Sequence, residues 1–249
     1  YREEIQSPSR PSKPIQINSR YKRLPDSIQI DKDWLYLLGW YAAEGFASIA
    51  PGKSRFVSFS GHENEEPVLR KIEKTLNKIG LKAFLYRSKT HKGIELRVHS
   101  GELAFWFRDW FGHGASNKRL PPVIQNLPSH QACEFLRGYT DGDGYQRGQQ
   151  VEWVSASPVL CYQMALLAIK SGFIPTIRRG SVKSGHYWIG GYTKFGKGNA
   201  RLNDQDDDYI YRPVRKVETR YDKVRVYDLT VEEDHSFTVG FSTVHNCHR

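Results

Sequence analysis

An α+β fold made by tandem duplication is what this sequence predicts, and three observations carry it. A helix-like stretch, DKDWLYLLGWYAAEG (31–45), has a weaker copy in SHQACEFLRGYTDGDG (129–144). Each copy is followed by the same succession of patterns: an alternating strand run, a helical run, a Lys-x-Gly turn and another strand run. The composition suits a globular chain, with 249 residues, 39% hydrophobic and 13% aromatic.

Residues 1–30 carry Pro11, Pro14 and Pro25 among scattered Arg and Lys, without an apolar period. They are expected to be an extended basic lead-in or linker that needs a partner for order. From Asp31 the pattern becomes helical: Asp31 or Asp33 can cap, apolar residues fill the next turns, and Gly45 stops the helix. RFVSFSGHENEEPVLRKIEKTLNKIGLKAFLYR (55–87) then reads as strand, helix, Lys-Ile-Gly, strand, and GIELRVHS adds a further strand. The second copy opens with Ser129 as its cap and ends at Gly144. It continues through QQVEWVSASPVLCYQMALLAIKSGFIPTIRR (149–179) to GHYWIGGY. A unit of helix, hairpin, helix, hairpin is therefore expected twice, over residues 31–120 and 121–205. Two unrelated α+β stretches are the simpler alternative. Beyond that, YIYRPVRKVETR, VRVYDLTV and SFTVGFSTV alternate like strands and belong to neither repeat, as part of a separate all-β unit.

Lys and Arg outnumber Asp and Glu by 37 to 27, a formal net charge of +10. That balance favours a polyanionic partner, with nucleic acid ahead of an anionic membrane. Cys133, Cys161 and Cys247 are odd in number and widely spaced, against both a disulfide framework and a CxxC zinc site. A reducing, cytoplasmic setting is expected. The longest apolar run, Val159 to Ile169, is interrupted by Tyr162 and Gln163 and is far shorter than the roughly 20 residues a bilayer requires, so no membrane span is expected. YREEIQ is no signal peptide, and Tyr1 is expected to mark a cut within a longer product.

In each duplicated helix small residues recur at i and i+4, Gly39 with Ala43 and Gly138 with Gly142, which lets two helix backbones approach closely. Each helix ends in an acid before Gly, Glu44 in AEG and Asp143 in GDG. Two carboxylates side by side at the negative ends of helix dipoles are unfavourable, and a divalent cation removes that penalty. Oxygen-only ligands and phosphate chemistry favour Mg²⁺, which can activate water and neutralise charge on a scissile phosphate. The plain alternative is that both acids solvate helix ends.

LLGWYAAEG and FLRGYTDGDG resemble the two signature helices of monomeric LAGLIDADG homing endonucleases, and their acids stand 99 positions apart. The resemblance covers residues 31–200. It implies two pseudo-symmetric αββαββα repeats that form a saddle of strands over double-stranded DNA, in a monomer. It also implies Glu44 and Asp143 as the metal-binding acids that cut the two strands. Glu in place of Asp in the first helix departs from the family but keeps the carboxylate. ASNKRLPPVI resembles the Lys-Arg-hydrophobic-Pro segment before the second helix, which makes Lys118 a catalytic candidate that stabilises charge or holds water; an ordinary loop lysine is the alternative. The second-half counterpart stays open among Lys194, Lys197 and Lys216. DNA contacts are expected on the strands from Arg55, Arg87, Lys89, Arg97, Arg147, Gln149, Arg178, Arg179 and Lys183.

The chain ends VHNCHR. An Asn side-chain amide can attack its own main-chain carbonyl and release the residues downstream of it, a preceding His can assist, and a Cys directly after the Asn can receive an acyl group. A surface metal cluster of His235, His245, Cys247 and His248 is the alternative. Together with VYDLTVEEDHSFTVG upstream, the ending resembles the C-terminal splice junction of an intein, a Hint-type domain over residues 206–246 followed by a host stub, 247–249. The resemblance implies roles in splicing for Asn246, His245, Cys247, His235 and Asp228. The first 30 residues match neither the opening nucleophile nor the Thr-x-x-His segment of a complete intein, so splicing is expected to need a separate N-terminal intein fragment. A DNA-binding or RNA-splicing helper without cleavage, and a splicing fragment with a degenerate nuclease insert, are the competing functions. Both acids being present speaks against the helper, which gains nothing from carboxylates facing phosphates.

Overall fold

The computed structural model describes residues 4–6, 24–52, 54–182 and 185–193, then 204–205, 210–211, 216–225, 227, 229, 231–232, 236–239 and 242–245. The chain divides into two units, Tyr1–Gly196 and Lys197–Arg249.

The first unit opens with a two-stranded ribbon, β1 (Glu4–Gln6) antiparallel to β2 (Ser27–Gln29). Ile28 is buried in the main core, and the Leu24 amide donates to Glu102 Oε2 at 2.8 Å. The expectation of a lead-in without order through residue 30 is thus corrected: apolar Leu24, Ile28 and Ile30 find the chain's own core.

α1 (Lys32–Glu44) is capped by Asp31, whose carboxylate accepts from the amides of Asp33 and Trp34, both at 2.9 Å. It runs straight into β3 (Gly45–Ser48), and β4 (Phe56–His62), α2 (Glu66–Lys78), β5 (Ala83–Arg87), β6 (Gly93–Val98) and α3 (Gly101–Phe111) come next. After a short α4 (Pro122–Gln125), the pattern restarts with α5 (Ser129–Asp143), β7 (Gly144–Arg147), β8 (Gln150–Ser155), α6 (Pro158–Lys170), β9 (Ile174–Val182) and β10 (Gly185–Thr193). The helical cap expected at Ser129 is corrected. Pro128 occupies the cap in an extended conformation with no side-chain cap bond, and Ser129 is the first helical residue.

Duplication shows most clearly in the sheets. Each is four-stranded and antiparallel, ordered β3-β4-β6-β5 in the first half and β7-β8-β10-β9 in the second. The register repeats as well: Gly45 faces Phe59 across the first hairpin, and Gly144 faces Trp153 across the second. Inward residues of both sheets, among them Val57, Phe59, Leu96, Val151 and Trp153, join the helices in one core. The first repeat closes with α3, whose Phe107 and Phe111 meet the Tyr41 ring edge-on at 4.5 and 5.1 Å. Among the described residues no helix follows β10.

α1 and α5 form the axis between the halves. A Cβ on Gly39 would collide with the Phe135 carbonyl, and one on Gly138 with the Tyr36 carbonyl, so only glycine permits this backbone approach. Tyr36 Oη donates to Asp141 at 2.8 Å across the pair. The apolar run noted in the sequence becomes α6, an ordinary core helix with Leu160, Met164 and Leu167 buried. Among the described residues no helix is long and apolar enough to cross a membrane.

Among its described residues the second unit holds two small ribbons, β11 (Asp204–Gln205) with β12 (Ile210–Tyr211) and β13 (Ser236–Val239) with β14 (Ser242–His245). Because β11 pairs with β12, residues 204–205 go with the tail rather than with the second repeat. The strands expected across ETR and VRVYDLTV are not formed at the described residues 216–225, 227, 229 and 231. Alternation alone does not make a strand without a neighbour to complete its ladder, and Val217, Tyr221, Val224 and Tyr227 lie 81%, 97%, 68% and 82% exposed.

Candidate active site

Glu44 and Asp143 are the last residues of α1 and α5, so the glycine contact between those helices brings their C-terminal ends together. At that end Gly142 packs against Ala43, with the Glu44 Cγ beside it. Lys118 arrives from the loop after α3 and donates from Nζ to the carbonyls of Ala42 and Ala43, at 2.9 and 2.6 Å. Those carbonyls belong to the last turn of α1, where a cation offsets both orphan acceptors and the dipole.

The electrostatics arise from this crowding. Burial and the neighbouring Glu44 charge push Asp143 up to about 6, opposed by Lys118. Burial also raises Glu44, again opposed by Lys118. Lys118 is pushed down to about 8 by burial, against the pull of Glu44 and Asp143. Two carboxylates held above their usual range by desolvation first, with the charge of Glu44 adding to it at Asp143 and that of Glu65 at Glu44, are a site short of positive charge. The donors are oxygen only, which fits a hard divalent cation, and among the described residues there is no cluster of three or more His, Cys, Asp or Glu. Glu44 and Asp143 could thus hold such an ion only with oxygens from elsewhere, as Mg²⁺ sites commonly do with water and substrate phosphate.

Lys118 is no ordinary exposed loop lysine. The buried Ser157 hydroxyl donates to the Lys118 carbonyl at 2.6 Å while capping α6 through the Leu160 amide. Gln163 accepts from the Leu120 amide at 2.7 Å, and the Arg119 amide donates to the Phe111 carbonyl at 3.0 Å. Sequence reasoning missed Ser157 and Gln163. The signals were there: Ser-Pro opens α6, and Gln163 interrupts an otherwise apolar run. It also missed Tyr139, buried beside the acids and raised well above its usual value by burial first and then by the charge of Asp143.

The expected DNA contacts divide by strand periodicity. Arg97, Arg147 and Arg178 lie on the sheet faces away from the helices, and Lys89 and Gln149 at exposed hairpin turns. Arg87 instead turns to the helix side and pairs with Glu66 of α2, while Arg55 lies over the Phe105 ring of α3 at 5.1 Å. Arg179, opposite Trp188, has the inward parity at the far end of β9. Lys183, Lys194, Lys197, Asp228, His235, Asn246, Cys247 and His248 lie outside the described residues; His245 ends β14, and Lys216 pairs with Glu218 in the second unit.

The LAGLIDADG-like domain family matches residues 130–204. The ATP-dependent DNA helicase Hel308 of Thermococcus kodakarensis is 28% identical over 98% of this chain and 24% of its own length. The replication factor C small subunit of Methanocaldococcus jannaschii is 30% identical over 72% of this chain and 10% of its own length. The chain therefore spans a quarter or less of these curated relatives. The crystal structure of I-DmoI in complex with DNA and Mn matches with a TM-score of 0.51 at 15% identity, covering 65% of this chain and 89% of that one. An α+β fold resembling a LAGLIDADG homing endonuclease, with a LAGLIDADG-like domain at residues 130–204, is what these likenesses show.

Proposed function

We propose that the chain is a monomeric, cytoplasmic, site-specific endonuclease that hydrolyses both strands of duplex DNA, with Mg²⁺ held by Glu44 and Asp143. The observation that carries this reading is the meeting of two desolvated carboxylates and one cation, Lys118, at the joined ends of α1 and α5. A bound divalent cation would supply an activated water and neutralise charge on the scissile phosphate. Glu44 and Asp143 would hold that ion through their ionised oxygens, which accept only and leave donation to others. Lys118, anchored on the α1 carbonyls, keeps a positive charge beside the reacting phosphate. The solved structure of I-DmoI with DNA and Mn supports the same pairing of fold, duplex and divalent metal. Incubating a randomised duplex library with the chain and Mg²⁺, then sequencing the ends, tests it. Discrete staggered cuts that vanish in Asp143→Asn are expected; binding without cutting would favour the helper or degenerate-insert readings.

The second unit reads as the C-terminal part of an intein that cleaves at Asn246. The module matches stretches of a helicase and of a replication factor C subunit, proteins with different names, over small fractions of each. That is the distribution expected of an inserted element. In this reading the Asn246 side-chain nitrogen attacks its own main-chain carbonyl, a succinimide closes, and the amine of Cys247 leaves, with His245, His235 and Asp228 assisting and Cys247 receiving the acyl group beforehand. A separate N-terminal intein fragment would supply strands to cover Val217, Tyr221, Val224 and Tyr227. With that fragment added, Asn246→Ala should abolish release of the Cys-His-Arg peptide, monitored by mass spectrometry; release at the normal rate would refute the role.

A further inference from the structure

The open face of the first sheet carries a built arrangement that the nuclease chemistry does not use. Strand periodicity turns Phe46, Phe56, Phe84, Tyr86, Glu95 and Arg97 to this side, away from the core residues Ala47, Val57, Leu85 and Leu96. Arg97 lies between Ser58 on β4 and Phe84 on β5 in the ladder. Its guanidinium stacks on the Phe56 ring at 4.3 Å and the Tyr86 ring at 4.9 Å. Glu95, two residues back on the same face, accepts from Nε at 3.3 Å and from Nη2 at 2.7 Å. One fork of the guanidinium is thereby fixed, and both rings pack against it. The other fork, Nη1 with the second Nη2 hydrogen, makes no hydrogen bond among the described residues.

We propose that Arg97, held by Glu95, Phe56 and Tyr86, reads one guanine through its free fork in the major groove of the target duplex. This rests on the reading of the chain as a DNA endonuclease. Two donors side by side match the O6 and N7 acceptors of guanine. A phosphate is the poorer partner, because the Arg97–Glu95 pair carries no net charge and its carboxylate repels an anion. A base edge is neutral and meets no such repulsion. Holding the plane in advance also removes ordering cost at the moment of binding. Arg178 on the second sheet is a useful contrast: only its Nη2 reaches Glu152, at 3.0 and 3.2 Å, and its side chain is 61% exposed.

The test is selection of bound sequences from a randomised duplex library, with Ca²⁺ in place of Mg²⁺, for the wild-type chain and for Arg97→Gln, Glu95→Gln and Lys74→Gln. Circular dichroism verifies the fold of each. The wild type should require guanine at a position that Arg97→Gln relaxes, with about 10- to 100-fold loss of discrimination there and little change elsewhere. Glu95→Gln should weaken the same preference while steepening the salt dependence of binding by about one counterion, because the freed arginine then reaches phosphate. Lys74→Gln removes one charge from the exposed side of α2 and should leave the guanine preference intact. An unchanged sequence preference in Arg97→Gln, or a uniform weakening at all positions, overturns the inference while the nuclease reading stands. Failure of the wild type to bind any duplex overturns both.

Discussion

Lys118 sits between two opposed demands, since burial disfavours its charge while Glu44, Asp143 and the end of α1 require it. With Asp143 near 6 and Lys118 near 8, the window between holds an ionised acid beside a charged amine. Mg²⁺ binding is therefore expected to weaken as pH falls through about 6, where a proton competes for the metal-free Asp143, and cleavage to fall as pH rises through about 8 with the charge of Lys118. Lys118→Arg should retain activity at higher pH, because a guanidinium stays charged, and initial rates across pH 5 to 10 would check this. The same shifts predict a stability effect. Asp143 binds its proton more tightly folded than unfolded, so its contribution is complete below about 3.8 and is lost as pH rises through about 6. Without divalent cation, Asp143→Asn should melt higher than wild type at pH 7.5 and alike at pH 3.5. An unchanged melting temperature at pH 7.5 would mean the carboxylate is not strained. The pair of acids was legible in the sequence because each ends a repeated helix before glycine. The burial of Lys118 was not, because it depends on Ser157 and Gln163 of α6, some forty residues further along the chain.

At the scale of elements, the α1–α5 pair does two things: it joins the halves and it sets the spacing of the carboxylates. Gly138→Val would press a branched side chain on the Tyr36 carbonyl, a backbone atom that cannot step aside. Overpacking of this kind costs about 1–3 kcal/mol or more, and thermal melting should show it as a drop of several degrees. Cutting should fall further than stability does, since separation of the helix ends disperses the two acids and Lys118. The repeat was legible from periodicity, and the two sheets share one strand order for that reason. Boundaries that rest on pairing were not: β11 goes with β12, β1 with β2, and the alternating run around Tyr221 has no partner strand among the described residues.

Across the whole chain the two repeats are similar without being equal. The first ends in α3 and contributes Lys118, while among the described residues the second ends at β10. One half presents an aromatic face that clamps Arg97, and the other presents Tyr145, Arg147, Glu152 and Arg178 with no such ring contact among the described residues. A site read by unequal faces has no need of two-fold symmetry, which suits one chain with two fused halves. The composition signalled nucleic acid through its net charge of +10, yet charge did not say which arginines face outward. Two of the nine expected contacts, Arg87 and Arg179, have the inward parity, because strand alternation decides that and not residue type, and Arg55, just before β4, lies over Phe105 of α3. The central claim, that Glu44 and Asp143 form a divalent-cation nuclease centre, is tested most directly by single-turnover cleavage of a duplex recovered from the library. Double-strand cutting should require Mg²⁺, stop with chelator, and be lost in Glu44→Gln and Asp143→Asn while both variants still bind the duplex; cutting that persists in either variant, or without divalent cation, would contradict it.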